Sequence, residues 1–271
     1  MIDPSIYKLY YLSGNAGDSF FELGGINNLS VQKNLSYDNH FSLGGADAAY
    51  SVNAPEEIEI SFDRSFINYD SIFDYTGINP IREFRIYNGG KFFSITNLYL
   101  KSYSATFSVG ELPKISTNFS SYGSEIKQID FFDGGSTNLT QLDIPKLNSI
   151  TISGLYDQDL KEKYNIYSFT YNLTINRQPY YSVGQREPTE VTPILPLQIQ
   201  ASVNSKIPNN LKDINIASNQ DGFRDFDIVV SGSSSLFKLP IRKSKLVSSN
   251  ISMGSSTTIE VKNDFLGYYG L

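Results

Sequence analysis

From Glu56 to Asp63 the chain alternates without a break: Ile58, Ile60 and Phe62 fall on one side, and Glu57, Glu59, Ser61 and Asp63 on the other. That period of two is a strand with one packed and one wet face. Leu197, Ile199, Ala201 and Val203 repeat the pattern against Gln198, Gln200, Ser202 and Asn204. A second pair does the same. Tyr103, Ala105, Phe107 and Val109 oppose Ser102, Ser104, Thr106 and Ser108, while Ser249, Ile251 and Met253 oppose Ser248, Asn250 and Ser252. Further strands are expected at 29–37, 83–87, 92–99, 115–119, 149–153, 167–175, 225–231 and 257–262, with turn signals between them such as Asn88-Gly89-Gly90, Gly134-Gly135 and Asp221-Gly222. The best helix candidate is Asn68 to Tyr75, capped by Asn68 or Asp70 and ended by Gly77, with a counterpart within Asn209 to Ile214.

The polar and apolar pattern also repeats over a longer distance. Phe41-Ser-Leu-Gly44 matches Tyr181-Ser-Val-Gly184, 140 positions on. Pro55 to Ser61 matches Pro196 to Ser202 at 141, and Arg82-Glu-Phe-Arg-Ile86 matches Arg224-Asp-Phe-Asp-Ile228 at 142. Ser104 to Gly110 then matches Ser248 to Gly254 at 144, placing Ile115 and Thr117 on Ile259 and Val261. Four collinear matches with a slowly drifting offset indicate an internal duplication. Domains are expected at 1–130 and 149–271, joined by 131–148. The stretch Ser120 to Pro145, with Asp133-Gly-Gly-Ser136, reads as the connecting region, and it holds no long flexible linker.

Composition narrows the chemistry. With no Cys among 271 residues, a disulfide framework, a thiolate nucleophile and a Cys-ligated metal are all excluded. The N-terminal residues lack a basic segment followed by an apolar run, and no stretch of about 18 apolar residues occurs, so a soluble chain without membrane contact is expected. Net charge is −6, without a Lys/Arg cluster to neutralise phosphates, which argues against a DNA-gripping role.

His40 is the single histidine and cannot build a multi-histidine site alone. Glu57 and Glu59 share a strand face, as a carboxylate pair for acid–base work would, but their counterparts are the amides Gln198 and Gln200. Asp157-Gln-Asp159 and Asp221 to Asp227 lack the spacing of a calcium loop. The pairs Gly24-Gly25, Gly44-Gly45 and Gly89-Gly90 lack phosphate-loop spacing and read as turns. Asn28-Leu-Ser30 and Asn172-Leu-Thr174 read as chance triplets. No catalytic, cofactor or metal residues are expected, and a structural or binding role becomes the default.

The phrase Leu100-Lys-Ser-Tyr-Ser-Ala-Thr-Phe-Ser-Val-Gly-Glu-Leu-Pro-Lys-Ile-Ser-Thr-Asn-Phe119, followed by Tyr122-Gly123, resembles the late strands of tail tube proteins of long-tailed, siphovirus-like bacteriophages. So does Leu173-Thr-Ile-Asn-Arg-Gln-Pro-Tyr-Tyr-Ser-Val-Gly184, with Pro193 to Val203 after it. The resemblance covers about half the chain in patches. It implies a mainly β fold of two tandem β-sandwich or barrel-type tube domains, each with about one short helix. Family members usually carry one domain and form six-membered rings whose pooled strands make a barrel for DNA. Two domains per chain then imply homotrimeric, pseudo-hexameric rings stacked into a tube. Implied partners are further copies of the chain, the tail's initiator, terminator and tape measure proteins, and viral DNA in transit. The implied location is the virion tail, assembled in the host cytoplasm.

A wet barrel needs a polar face without positive charge to arrest DNA. The expected lumen-facing residues are therefore Glu57, Glu59, Ser61, Asp63, Ser102, Ser104, Thr106, Ser108, Gln198, Gln200, Ser202, Ser248, Asn250 and Ser252. Because the acids of the first half become amides in the second, charge along a lumen should alternate domain by domain. The competing readings are a carbohydrate-binding or adhesive β-sandwich pair, stacking sugars on Tyr10, Tyr11, Tyr180, Tyr181, Tyr268 or Tyr269, and a distal-tail or neck ring component.

Overall fold

The alternating segments become strands, and every strand pairing among the described residues is antiparallel. The structure is a computed structural model that describes residues 7–12, 20–34, 37–41, 48–53, 56–66, 70–77, 79–88, 90–129, 150–153, 165–208, 223–231, 236–253 and 258–269. In chain order the strands are β1 (Tyr7–Leu12), β2 (Phe20–Leu23), β3 (Ile26–Asn34), β4 (Tyr37–Phe41), β5 (Ala48–Asn53), β6 (Glu57–Ser65), β7 (Ile81–Asn88), β8 (Lys91–Ser108), β9 (Lys114–Tyr122) and β10 (Lys127–Ile129). They continue with β11 (Ile150–Ser153), β12 (Asn165–Thr174), β13 (Arg177–Tyr180), β14 (Glu190–Pro193), β15 (Leu197–Pro208), β16 (Arg224–Ser231), β17 (Leu236–Met253) and β18 (Thr258–Tyr269). The fold is mainly β.

Eight strands run side by side in the order β3-β6-β9-β8-β12-β15-β18-β17. The early parts of β8 and β17 leave this sheet and pair instead with β7 and β16, which carry β1 and β11 on their far sides. Aromatic residues fill the space between these layers. Phe84 of β7 meets Phe119 of β9 edge-on at 5.1 Å, and Phe226 of β16 meets Phe265 of β18 edge-on at 5.4 Å. Each such fully buried side chain contributes about 1.5–3 kcal/mol of transfer free energy.

The two halves share one strand order. β3-β6-β9-β8-β7-β1 in the first is β12-β15-β18-β17-β16-β11 in the second. Irregularities recur at matching places. The shift between Ile26 and Asn28 recurs between Ile166 and Ser168, and that between Leu100 and Ser102 recurs between Leu246 and Ser248. The hairpins β4-β5 and β13-β14 correspond 140 positions apart, with Tyr37 opposite Asn53 and Arg177 opposite Pro193.

Several sequence expectations change. The last repeat is in register 146 positions apart, not 144, because Leu100 pairs with Phe119 as Leu246 pairs with Phe265. A shift of two keeps every side chain on its face, so polarity alone does not distinguish the two registers. The expected strands at 92–99 and 102–109 are one strand, β8. The region Ser120 to Pro145 is not wholly connection, since β9 runs to Tyr122 and β10 follows at Lys127. The expected helix is a short 3-10 segment, Ser71–Thr76, capped by Asp70, whose carboxylate accepts a hydrogen bond from the Ile72 amide at 3.0 Å. Its expected counterpart in 209–214, the Gly134-Gly135 and Asp221-Gly222 turns, and Asp157-Gln-Asp159 lie outside the described residues. At the Asn88-Gly89-Gly90 signal Asn88 pairs with Lys91, while Gly89 itself lies outside the described residues.

Candidate functional site: a polar sheet face with two open edges

All fourteen residues expected on a wet face share one side of the eight-strand sheet. The pairings lay them in rows. Ser61 lies across from Asn118, Asn118 from Ser102, Ser102 from Thr174 and Thr174 from Gln198. Asp63, Ser116, Ser104, Asn172 and Gln200 form the next row, and Thr106, Thr170, Ser202, Asp264 and Ser248 the one after. Cross-strand partners project to the same side. The other side is core, where Ile58, Ile60, Tyr103, Ala105, Tyr171, Ile199 and Val203 are fully buried.

Hydrogen bonds knit the polar face sideways. Ser104 Oγ donates to Asn172 Oδ1 at 2.6 Å, Ser116 to Asp63 at 2.5 Å, and Asn204 Nδ2 donates to Ser168 Oγ at 2.7 Å. Asp264 accepts from both Ser202 and Ser248. These bonds and Lys262 hold its carboxyl below the usual carboxylate range, although burial alone pushes it up.

Two expectations about charge on this face are corrected. The face is not free of positive charge, because Lys101 stands on it with its ammonium 2.6 Å from Glu59 and 3.1 Å from Glu57. Strict alternation from Tyr103 would turn Lys101 inward. The bulge between Leu100 and Ser102 resets the alternation, so Leu100 is buried and Lys101 faces out. Burial draws the Lys101 pKa down, and its bonds to Glu59 and Glu57 outweigh this and raise it. Charge does not alternate by half either. Lys206 pairs with Glu260 at 3.4 Å and Lys262 with Asp264 at 3.3 Å, so both halves carry acids matched by lysines. Glu57 and Glu59 are thus tied to one cation.

The halves join within the sheet. Ser108 to Ser102 of β8 pair with Ser168 to Thr174 of β12. On the core side Phe107 stacks on Phe169 at 4.6 Å, and Phe73 meets Phe237 at 5.5 Å and Tyr171 at 6.2 Å. Phe66 also meets Phe237, at 5.4 Å. Arg177 clasps the junction from the second half, donating to the carbonyls of Leu100 at 2.8 Å and Gly77 at 2.9 Å. Its burial lowers the guanidinium pKa to about 10. Gly123, at φ 73°, lies so close to the Arg186 carbonyl that a Cβ would overlap it.

Among the described residues the sheet is open at its two ends. Among the described residues β3 pairs only with β6, and the segment Leu246–Met253 of β17 only with β18. Val31 on one edge and Ile251 on the other are 38% and 48% exposed, although both stand on the core-side face.

Of the six tyrosines expected to stack on sugars, Tyr10 and Tyr11 are buried, Tyr180 at the end of β13 and the adjacent Tyr181 are exposed, Tyr268 lies opposite Gln198, and Tyr269 packs against the core. His40 lies in β4. Asp227 is paired with Arg242 at 2.6 Å, and Asp225 accepts the Lys243 amide. No protein-family model matches the chain, and no curated protein matches it.

Proposed function

We propose that this chain is a structural virion protein, a tail tube subunit whose copies assemble into trimeric, pseudo-hexameric rings stacked into a channel for DNA ejection. One observation carries the reading: an eight-strand sheet with a largely polar face joins its two halves by edge pairing and, among the described residues, ends at two open edges. An open, apolar-flanked edge is a hazard in a monomer. Pairing between two different edges is head-to-tail, and it closes into a ring where the rotation between copies allows and otherwise runs on as a filament.

Three copies of the eight-strand sheet give twenty-four strands. At about 4.8 Å per strand and a tilt of about 40°, such a barrel is on the order of 45–50 Å across between backbones. Barrels of 16–18 strands already hold an aqueous channel. The polar rows from Glu57 to Asp63, Ser102 to Ser108, Gln198 to Ser202 and Ser248 to Ser252 would form its wall. The lysines there are largely held by carboxylates, which leaves few cations to grip phosphate. The work is assembly and passive conduction in the virion tail, with no catalytic step and no cofactor. Initiator, terminator and tape measure proteins are the other expected partners.

Native mass spectrometry and negative-stain microscopy over a concentration series test this. The expected species is a trimer of the 30.3 kDa chain, seen end-on as a ring, with tubes at higher concentration. A strict monomer at every concentration, even beside an initiator complex, would overturn it.

A further inference from the structure

Beside β3 lies a pocket of about 550 Å³ whose lining includes Ile26, Leu29, Val31, Ile86, Phe93 and Ile95. The duplication identifies the same six positions in the second half as Ile166, Phe169, Tyr171, Ile228, Leu239 and Ile241. All six are apolar there too, but five of them are buried, and Phe107 and Phe73 of the first half lie against Phe169 and Tyr171. The first half has the same floor, and there it lines the pocket.

We infer that the pocket is a socket for the second half of another copy of this chain, seated so that Ile251 of that copy lies opposite Val31. This rests on the self-assembly proposed above and assigns its interface and register. Within the chain, Ala105 lies opposite Tyr171. Ala105 pairs with Ile115 as Ile251 pairs with Val261, and Tyr171 pairs with Ala201 as Val31 pairs with Ile60. Transferring the junction to the open edges therefore sets Ile251 against Val31, Asn250 against Gln32 and Ser252 against Ser30. The two exposed aliphatic residues meet on the core side, and the polar rows continue across the joint. In the same register Met253 falls opposite Leu29, as Phe107 falls opposite Phe169 at the internal junction. An offset of one residue would put Val31 on the polar side, which is why the register is specific.

The chain has neither Cys nor Trp, so both probes are clean. In a Val31→Cys/Ile251→Cys variant, oxidation of assembled rings should give covalently linked trimers on a non-reducing denaturing gel. A Val31→Cys/Asn250→Cys control should stay largely unlinked. A Val31→Cys chain mixed with an Ile251→Cys chain should give linked dimers only. Independently, the single tryptophan of a Phe93→Trp variant should shift to shorter emission wavelength on assembly. Rings that form while 31 and 251 stay unlinked and the tryptophan emission stays unchanged would overturn the register and the socket but leave ring assembly standing. A chain that never self-associates would overturn both.

Discussion

Asn97 and Lys243, 146 positions apart, are the two non-glycine residues among those described whose backbones enter the left-handed region, at φ 54° and 46°. Each lies where a long strand, β8 or β17, passes from its short sheet to the eight-strand sheet. A β-branched side chain is poorly tolerated there. Asn97→Val and Lys243→Val should each lower unfolding free energy by about 1–2 kcal/mol, and Lys243→Gly should be neutral or stabilising. Urea midpoints of the single variants check this. Equal tolerance of Val and Gly at both positions would remove the strand crossover as the cause.

The 3-10 segment at the junction hangs on Asp70. Its carboxylate accepts from the Tyr103 hydroxyl at 2.7 Å and pairs with Arg64, all three being buried. Burial and the facing Asp70 charge push the Tyr103 phenol well above its usual pKa, so it remains a donor. Asp70→Ala strands the Arg64 charge and should cost about 3–5 kcal/mol, whereas Tyr103→Phe should cost about 1–3 kcal/mol. Denaturant unfolding of the two variants gives that order, and the reverse order would contradict the network.

Stability should fall at both pH extremes through named groups on the polar face. Asp264 has a lowered folded pKa, so its contribution is present above the ordinary carboxylate value near 4 and is lost as pH falls through the lower folded value. Asp264→Asn should flatten the acid limb. Lys101 has a raised folded pKa, so its contribution is present below about 10.5 and disappears as pH rises through the folded value. Lys101→Met should flatten the alkaline limb. Buried Tyr103 and Tyr171 also weaken the fold at high pH, so the parent-minus-variant difference is the quantity to measure.

Packing at the junction should be as costly to disturb as packing in the core. Phe107→Ala removes the ring stacked on Phe169 and should cost about 3–5 kcal/mol. Gly123→Ala forces the Arg186 backbone away at a left-handed position and should loosen the loop at Arg186. Hydrogen exchange of residues 182–187 in Gly123→Ala reads that directly, with faster exchange expected.

Much of this was legible in the sequence because strand alternation is a local signal. The faces of Glu57–Asp63, Ser102–Ser108, Gln198–Ser202 and Ser248–Ser252 follow from period two alone, and the duplication follows from comparing such faces. What was hidden depends on distant partners. The pairing of β8 with β12 unites the halves in one sheet and leaves no mark in either strand. The bulge after Leu100 turned Lys101 outward against the local alternation. Asn97 broke the pattern of β8, so the sequence read two strands where one bends. The register of the last repeat slipped by two because the slip preserves polarity. The 3-10 segment depends on Arg64 and Tyr103, residues that a local helix signal does not include.

In the proposed assembly, copies of the chain close into a ring with the polar sheet face inward. Cryo-electron microscopy of the assembled particles tests it most directly. Three chains per ring and a continuous barrel are expected, with Ser104, Asn172, Gln200 and Asp264 on the lumen wall. Rings with these residues on the outer surface, or particles in which β3 and β17 of neighbouring chains do not meet, would contradict it.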